Sequence, residues 1–310
     1  MVSFSSILPG TNFIAGCGRN ELALRSPILI ATIIDRVLEG YCRLVPDHQG
    51  KWRLVAAAQN LARPAWTSAR TVTHDGICFE LDLNDLVSRY VYYGVYETPE
   101  THLVKQLVKW GWVCVDAGAH IGYYSLLFSQ LVGPGGRVLA FEPCSDVRRS
   151  LMRNLSLNSG NRVDVHDFAL SDYCGWAHLQ RNETNSAGSQ LASCGERVRV
   201  RTLDSFLEEN STSRVDFIKA DVEGCETRLL RGGMRTLRRF KPPMLLEINP
   251  LKTASFGNTV EEMLGLLTEL GYTIEQVRRR GLVSNWRLPE PGDSCNVIAI
   301  PEERRAAIAA

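Results

Sequence analysis

The sequence has almost no net charge. Its 310 residues carry 35 basic and 34 acidic side chains, a formal charge of +1. A global basic field for gripping nucleic acid is therefore absent. Long apolar runs are missing as well. The most apolar early stretch, Ser26 to Ile34, is ended by Asp35 and Arg36, far short of the ~20 residues that span a bilayer. Cysteine pairing signals are also lacking. The nine cysteines run from Cys17 to Cys295, an odd number with no Cys-x-x-Cys among them. That excludes a secreted disulfide scaffold and fits reduced thiols in the cytoplasm. Ile14-Ala15-Gly16-Cys17 has the outline of a lipoprotein cleavage site. The residues before it lack a positive region, and Pro9, Gly10 and Asn12 interrupt any apolar core, so it is not read as a leader. No Walker sequence, internal repeat or low-complexity tract is found.

What is present is ordinary globular composition, 45% apolar and 22% charged. From Leu103 onward strand-like apolar runs alternate with helical stretches, which predicts an α/β domain with a mostly parallel sheet. The strands read as Trp112 to Val115, Arg137 to Phe141, Val163 to Leu170, Val215 to Ala220, Met244 to Ile248, Thr273 to Arg278 and Asn296 to Ile300. The helices read as Tyr123 to Leu131, Asp146 to Leu157 with Ser145 as N-cap, Leu203 to Glu209, Thr227 to Phe240, and Val260 to Leu270. Thr259 caps the last of these and Gly271 stops it. Gly175 to Arg201 is polar and ends in Arg197-Val198-Arg199-Val200-Arg201. It is expected to be a surface loop with a two-stranded insertion, whose arginines form a solvated face or a binding patch. Before residue 100 the pattern is looser. Ile28 to Arg43, Asn84 to Tyr93 and Glu100 to Trp110 have helical spacing, and Ile77 to Leu81 reads as a strand. The expected division is a helical extension over 1–100 and the α/β domain over 101–310.

The strongest motif is Val115-Asp116-Ala117-Gly118-Ala119-His120-Ile121-Gly122, between a strand and a helix. Its two glycines allow a sharp turn and close approach of a ligand to the backbone, in front of free helix N–H groups. The spacing fails the Gly-x-Gly-x-x-Gly dinucleotide fingerprint, and the Asp116 carboxylate suits an amine-bearing ligand better than a pyrophosphate. Phe141-Glu142-Pro143 ends the next strand. Glu142 lies 24 positions after Gly118, where an acid accepts both hydroxyls of a ribose.

These pieces, followed by Ala169-Leu170-Ser171-Asp172, Thr202-Leu203-Asp204 and Ile218-Lys219-Ala220-Asp221-Val222-Glu223-Gly224-Cys225-Glu226, and preceded by Tyr96-Glu97, resemble the FkbM family of S-adenosylmethionine-dependent methyltransferases. The likeness runs from about residue 77 to 250. It implies the Rossmann-like class I methyltransferase fold, a seven-stranded, mostly parallel sheet with an antiparallel last strand. It also implies S-adenosylmethionine as cofactor. Asp116, Gly118, Ala119, His120, Gly122 and Tyr123 would hold its methionine part, and Glu142 and Pro143 its ribose. Asp167, Phe168 and Ala169 would flank its adenine. Glu97 belongs to the same implied cofactor set, and Asp221 would lie beside the methyl donor. His120 departs from the small polar residue usual in the family, and Ala220 from a β-branched one.

A hydroxyl acceptor needs its proton removed, and Asp221, Glu223 and Glu247 are the catalytic candidates. Glu226 and His120 are weaker ones, Glu226 reading as a helix-first-turn acid. Asp221, Glu223 and Glu247 also offer the hard oxygens that magnesium prefers, although acids at strand ends occur without metal, and no metal ligand is assigned. An oxidoreductase is disfavoured by the glycine spacing and by the absence of any Tyr-x-x-x-Lys. A nucleic-acid amino-methyltransferase is disfavoured because Asp221-Val222-Glu223-Gly224 stands where Asn/Asp-Pro-Pro-aromatic would. The reading is an oxygen-methyltransferase of a small-molecule hydroxyl, on a polyketide or other natural product or on a sugar. The alternatives are a glycan or glycolipid acceptor and a scaffold protein that has lost catalysis. The extension would cap the acceptor pocket or form a homodimer interface.

Overall fold

The computed structural model describes residues 18–46, 48, 50–180, 190–192 and 195–305. Residues 14–17, and 181–189 of the polar insertion, lie outside the described residues.

The chain opens with α1 (Gly18–Leu44) and α2 (Lys51–Ala62). A hairpin follows, β1 (Arg70–His74) paired antiparallel with β2 (Ile77–Leu81), and then α3 (Leu86–Tyr92) and α4 (Thr98–Leu107). The alternating burial of β2 made it legible, while α2 and the more exposed β1 were not read. Asp75 and Gly76, both at positive φ, turn the hairpin, and that dipeptide was an unused hairpin signal.

The α/β region begins with β3 (Val113–Ala117), α5 (Tyr123–Val132), β4 (Arg137–Phe141), α6 (Ser145–Ser156) and β5 (Val163–His166). Next come β6 (Phe168–Leu170), β7 (Gly175–Gln180), β8 (Gln190–Ala192), β9 (Glu196–Arg201) and α7 (Leu203–Glu209). The chain continues through β10 (Phe217–Ala220), α8 (Glu226–Gly232), α9 (Met234–Phe240), β11 (Met244–Ile248) and α10 (Pro250–Ser255). It closes with α11 (Val260–Glu269), β12 (Tyr272–Arg278), β13 (Gly281–Val283) and β14 (Cys295–Pro301).

The large sheet has eight strands in the order β13-β12-β14-β11-β10-β3-β4-β5. From β11 to β5 all pairings are parallel, and β14 lies antiparallel between β11 and β12. Along β3, Cys114 packs into one apolar cluster and Val115 and Ala117 into the other. Both faces of the sheet are therefore covered, which is why its central strands read as unbroken apolar runs. The first cluster runs continuously from Leu38 of α1 through Phe79 and Phe128 to Ile300.

Five expectations need correction. The sheet has an eighth strand, because the short β13 extends β12 as an antiparallel hairpin. The stretch Val163 to Leu170 is not one strand. It breaks at Asp167, and β6 leaves to pair with β9 in a second sheet of order β6-β9-β7-β8. The insertion is thus part of a four-stranded sheet rather than two strands on a loop. Thr227 to Phe240 is not one helix. It breaks between Gly232 and Gly233, and a Cβ at Gly232 would collide with the Ser171 carbonyl. Ser145 is the first residue of α6 and not its cap; Cys144 holds that position, and its amide is taken by Glu142. Thr259 and Gly271 behave as expected, Thr259 forming a full capping box with Glu262.

Candidate active site

A cleft opens at the carboxyl ends of β3, β4 and β10, beside the turn that links β3 to α5. The turn needs its glycine. Gly118 has φ +79°, and a Cβ there would run into the Asp221 carbonyl oxygen. The amides of Gly118 and Ala119 both donate to the Phe141 carbonyl at 3.0 Å, tying the turn to the end of β4. His120 follows in the left-handed region at φ +51°.

Two buried acids flank this turn. Asp116 is fully buried; its Oδ2 accepts from Ser125 Oγ at 2.5 Å, and its Oδ1 has no hydrogen-bond partner. Burial raises its pKa against the lowering pull of Lys219. Glu142 accepts one amide on each oxygen, from Cys144 at 2.8 Å and His120 at 3.0 Å. Burial outweighs those donors and pushes its pKa up to about 7.

The next group surrounds Lys219, at the end of β10. Its ammonium is buried, 3.1 Å from Asp221 Oδ2 and 5.0 Å from the centre of the Tyr124 ring. Burial disfavours this cation, but Asp221, Asp116 and Glu97 together raise its pKa, so it stays charged. Burial pushes Asp221 the other way, yet Lys219, Lys252 and His120 hold it below the ordinary value, so it too stays charged. Glu97 stands at φ +38°, accepts from the Tyr124 hydroxyl at 2.7 Å and is raised by burial to about 7.

Past β10 the chain turns through Glu223, at φ +56°, into α8. Glu223 is ion-paired with Lys252, and Glu247 lies 3.6 Å from the same ammonium. Burial, then the charge of Asp221, raises both carboxyls to about 8. Glu226 caps the turn, its Oε1 accepting from the amides of Val222 at 2.8 Å and Gly224 at 3.4 Å.

The profile of the Methyltransferase FkbM domain matches residues 116–274, half of the chain. The chain belongs to the FkbM methyltransferase family. Its eight-stranded sheet is the class I methyltransferase arrangement with one added edge strand. The antimetabolite synthetase AmbE of Pseudomonas aeruginosa is 23% identical over 261 residues, which is 71% of this chain and 12% of AmbE. Methyltransferase 1 of Beauveria bassiana is 30% identical over 145 residues, 38% of this chain and 57% of that protein. The chain thus spans less than two thirds of either relative's length. Among solved structures, the FkbM methyltransferase of Methylobacillus flagellatus KT is 17% identical with a TM-score of 0.39, covering 88% of this chain and 60% of its own.

Within this FkbM domain the cleft gathers most of the residues singled out from the sequence. Asp116, Gly118, Ala119, His120 and Tyr123 line its β3 side, Glu142 and Pro143 its β4 side. Phe168 and Ala169 form an apolar wall, and Asp221 and Glu223 close the β10 side. Gly122 stands behind the wall as the N-cap of α5. Three others lie outside the lining. The exposed carboxylate of Asp167 pairs with Arg199 at 3.2 Å, because the break after β5 turns it outward. Glu247 sits behind Lys252. Glu97 lines a neighbouring cavity with His48, Trp52 and Arg279, and reaches the cleft through Tyr124.

Sequence reasoning gave no role to Lys219 or Tyr124, both in the lining, which Tyr96 of the Tyr96-Glu97 pair also joins. A lysine inside an otherwise apolar central strand was the available signal, since such a position needs a paired charge. The acids that come together within 4.8 Å are Asp221, Glu226 and Glu247, with Glu223 turned to Lys252 instead. Lys219 and Lys252 already supply the positive charge, and Glu226 is engaged by two backbone amides.

Proposed function

We propose that this methyltransferase uses S-adenosylmethionine and methylates a hydroxyl of a small molecule, on a natural product or a sugar. One observation carries the reading. Asp116 and Glu142 end neighbouring parallel strands on either side of the Gly118 turn, and both keep acceptor capacity toward the cleft. The open Oδ1 of Asp116 suits an ammonium group. Each Glu142 oxygen has accepted one amide and retains a lone pair, which suits the two hydroxyls of a ribose. Phe168 and Ala169 supply the apolar wall that a purine needs. These donors, acceptors and apolar surface match the groups of the cofactor.

When bound, S-adenosylmethionine supplies a methyl group made electrophilic by its sulfonium. The chain must align the acceptor, take its proton and keep water out. Asp221, held charged by Lys219, orients the hydroxyl. Glu223 takes the proton; a carboxyl near 8 is basic enough to do so and still titrates close to neutrality. Lys252 steadies the Glu223 carboxylate, and Glu247 acts through Lys252 as a positioning residue. Tyr96 and Tyr124 screen this side of the cleft from water.

The test is calorimetric titration of the purified chain with S-adenosylhomocysteine, S-adenosylmethionine and NAD. Micromolar binding of the first two and none of NAD is expected. Asp116→Ala and Glu142→Ala should each remove that binding, while Asp221→Ala spares it and removes turnover. Unchanged affinity in Asp116→Ala would overturn the assignment.

A further inference from the structure

The first two helices carry apolar surface that the fold does not use. One side of α1 is committed to the core through Ala31, Leu38 and Cys42. On that same side the buried Asp35 accepts from Trp66 Nε1 at 3.0 Å, Arg70 at 2.5 Å and the Tyr93 hydroxyl at 2.5 Å. At 100° per residue, Ile30, Ile33, Val37 and Leu44 fall on one line along the opposite side. They are exposed by 56%, 54%, 66% and 85%. The line runs about 21 Å at the helical rise of ~1.5 Å per residue. On α2, Trp52, Leu54 and Leu61 are also exposed.

Among the described side chains of these helices, the exposed charge has one sign. Among the described residues from 27 to 65, every exposed charged side chain is an arginine: Arg36, Arg43, Arg53 and Arg63. The acids of the same stretch are withdrawn, Asp35 into the core and Glu39 into a pair with Arg43. Arg36 and Arg43 edge the apolar line of α1 on one side.

We propose that this outward face rests on an anionic lipid surface, with α1 lying in the plane of the headgroups. An apolar stripe bordered by arginine is what an interfacial helix presents. Long arginine side chains keep their charge at the phosphates while their stems cover apolar surface. No helix among the described residues is long and apolar enough to cross a membrane, so the contact is peripheral. Two other occupants fit less well. An antiparallel pair of α1 helices from two copies would set the Arg36–Arg43 edge of one against the same edge of the other. An acidic partner helix docks in a groove, whereas this line lies on the crest of α1, turned away from the core.

The experiment is flotation of the full chain with vesicles of phosphatidylcholine alone and with a third of the lipid as phosphatidylglycerol, at low and high salt. Binding to the anionic vesicles only, weakened by salt, is expected. Arg36→Glu and Arg43→Glu should each lower the partition coefficient, on the order of fivefold for each charge lost. Ile33→Asp with Val37→Asp should abolish binding, while the melting temperature and S-adenosylhomocysteine affinity stay at wild-type values. Those two readouts separate this proposal from the reading of the active site. No flotation of the folded wild type would overturn it, as would equal binding to neutral vesicles. A dimer in sedimentation velocity that Ile33→Asp dissolves would assign the face to a second copy instead.

Discussion

Gly118 is the residue on which the site's geometry turns. A side chain there meets backbone, the Asp221 carbonyl, and backbone cannot swing aside as the end of a flexible side chain can. Gly118→Ala is expected to cost about 2–4 kcal/mol, from the positive φ and the overlap together. It should also displace Asp221 and remove cofactor binding; thermal melting with calorimetry checks both. Glu223 makes a different prediction. Burial raises its carboxyl to about 8, and the proposed base acts only when ionised. The ratio kcat/KM should therefore rise through about pH 8. Glu223→Gln should lower kcat by ~100-fold or more and erase that rise. A variant that keeps the rising limb would assign the base to another group.

At the scale of elements, a buried polar knot helps apolar packing hold the N-terminal helices to the rest of the chain. Asp35 gathers an indole, a guanidinium and a phenol from Trp66, Arg70 and Tyr93. Removing the carboxylate leaves Arg70 in a half-buried position without its counter-charge. Asp35→Ala is expected to destabilise the chain by about 3–5 kcal/mol, and limited proteolysis should then cut first between α2 and β1. Unaltered protease resistance would show that packing alone fixes α1. A second fastening joins β2 to α6. Asn154 Oδ1 accepts from the Glu80 amide at 2.8 Å, and the Asn158 amide group exchanges bonds of 2.9 and 2.7 Å with the backbone of Cys78. As isolated letters in a helix, these asparagines read only as terminal caps. Their partners lie more than 70 residues away, beyond the reach of any local pattern.

For the molecule as a whole, buried acids gather in and around the cleft. Glu97, Glu142 and Glu226 sit near 7, and Glu223 and Glu247 near 8, against an ordinary 4.5. An acid whose pKa is raised by folding adds stability while it is protonated, and that contribution is lost as pH climbs through the folded-state value. The ligand-free chain should therefore melt higher at pH 5.5 than at pH 8.5, measured by calorimetry at constant ionic strength. A melting temperature that rises across this range would mean that these carboxyls are not buried in solution. Much of this architecture was legible in the letters. The Asp116 to Gly122 turn, Glu142 at its strand end, the seven principal strands and the Thr259 cap follow from turn chemistry, apolar period and capping, all of which act within a few residues, while Asp221 and Glu223 came with the family resemblance. The departure of β6 from the main sheet was not legible, because a strand's partner is chosen by competition between distant edges. Nor was the charge state of Lys219, which depends on Asp116, Glu97 and Asp221 from three separate segments. In α1 the letters show apolar residues on two sides. Only packing decides which side the core takes and which is left facing out, because burial belongs to the assembled chain and periodicity to the helix alone.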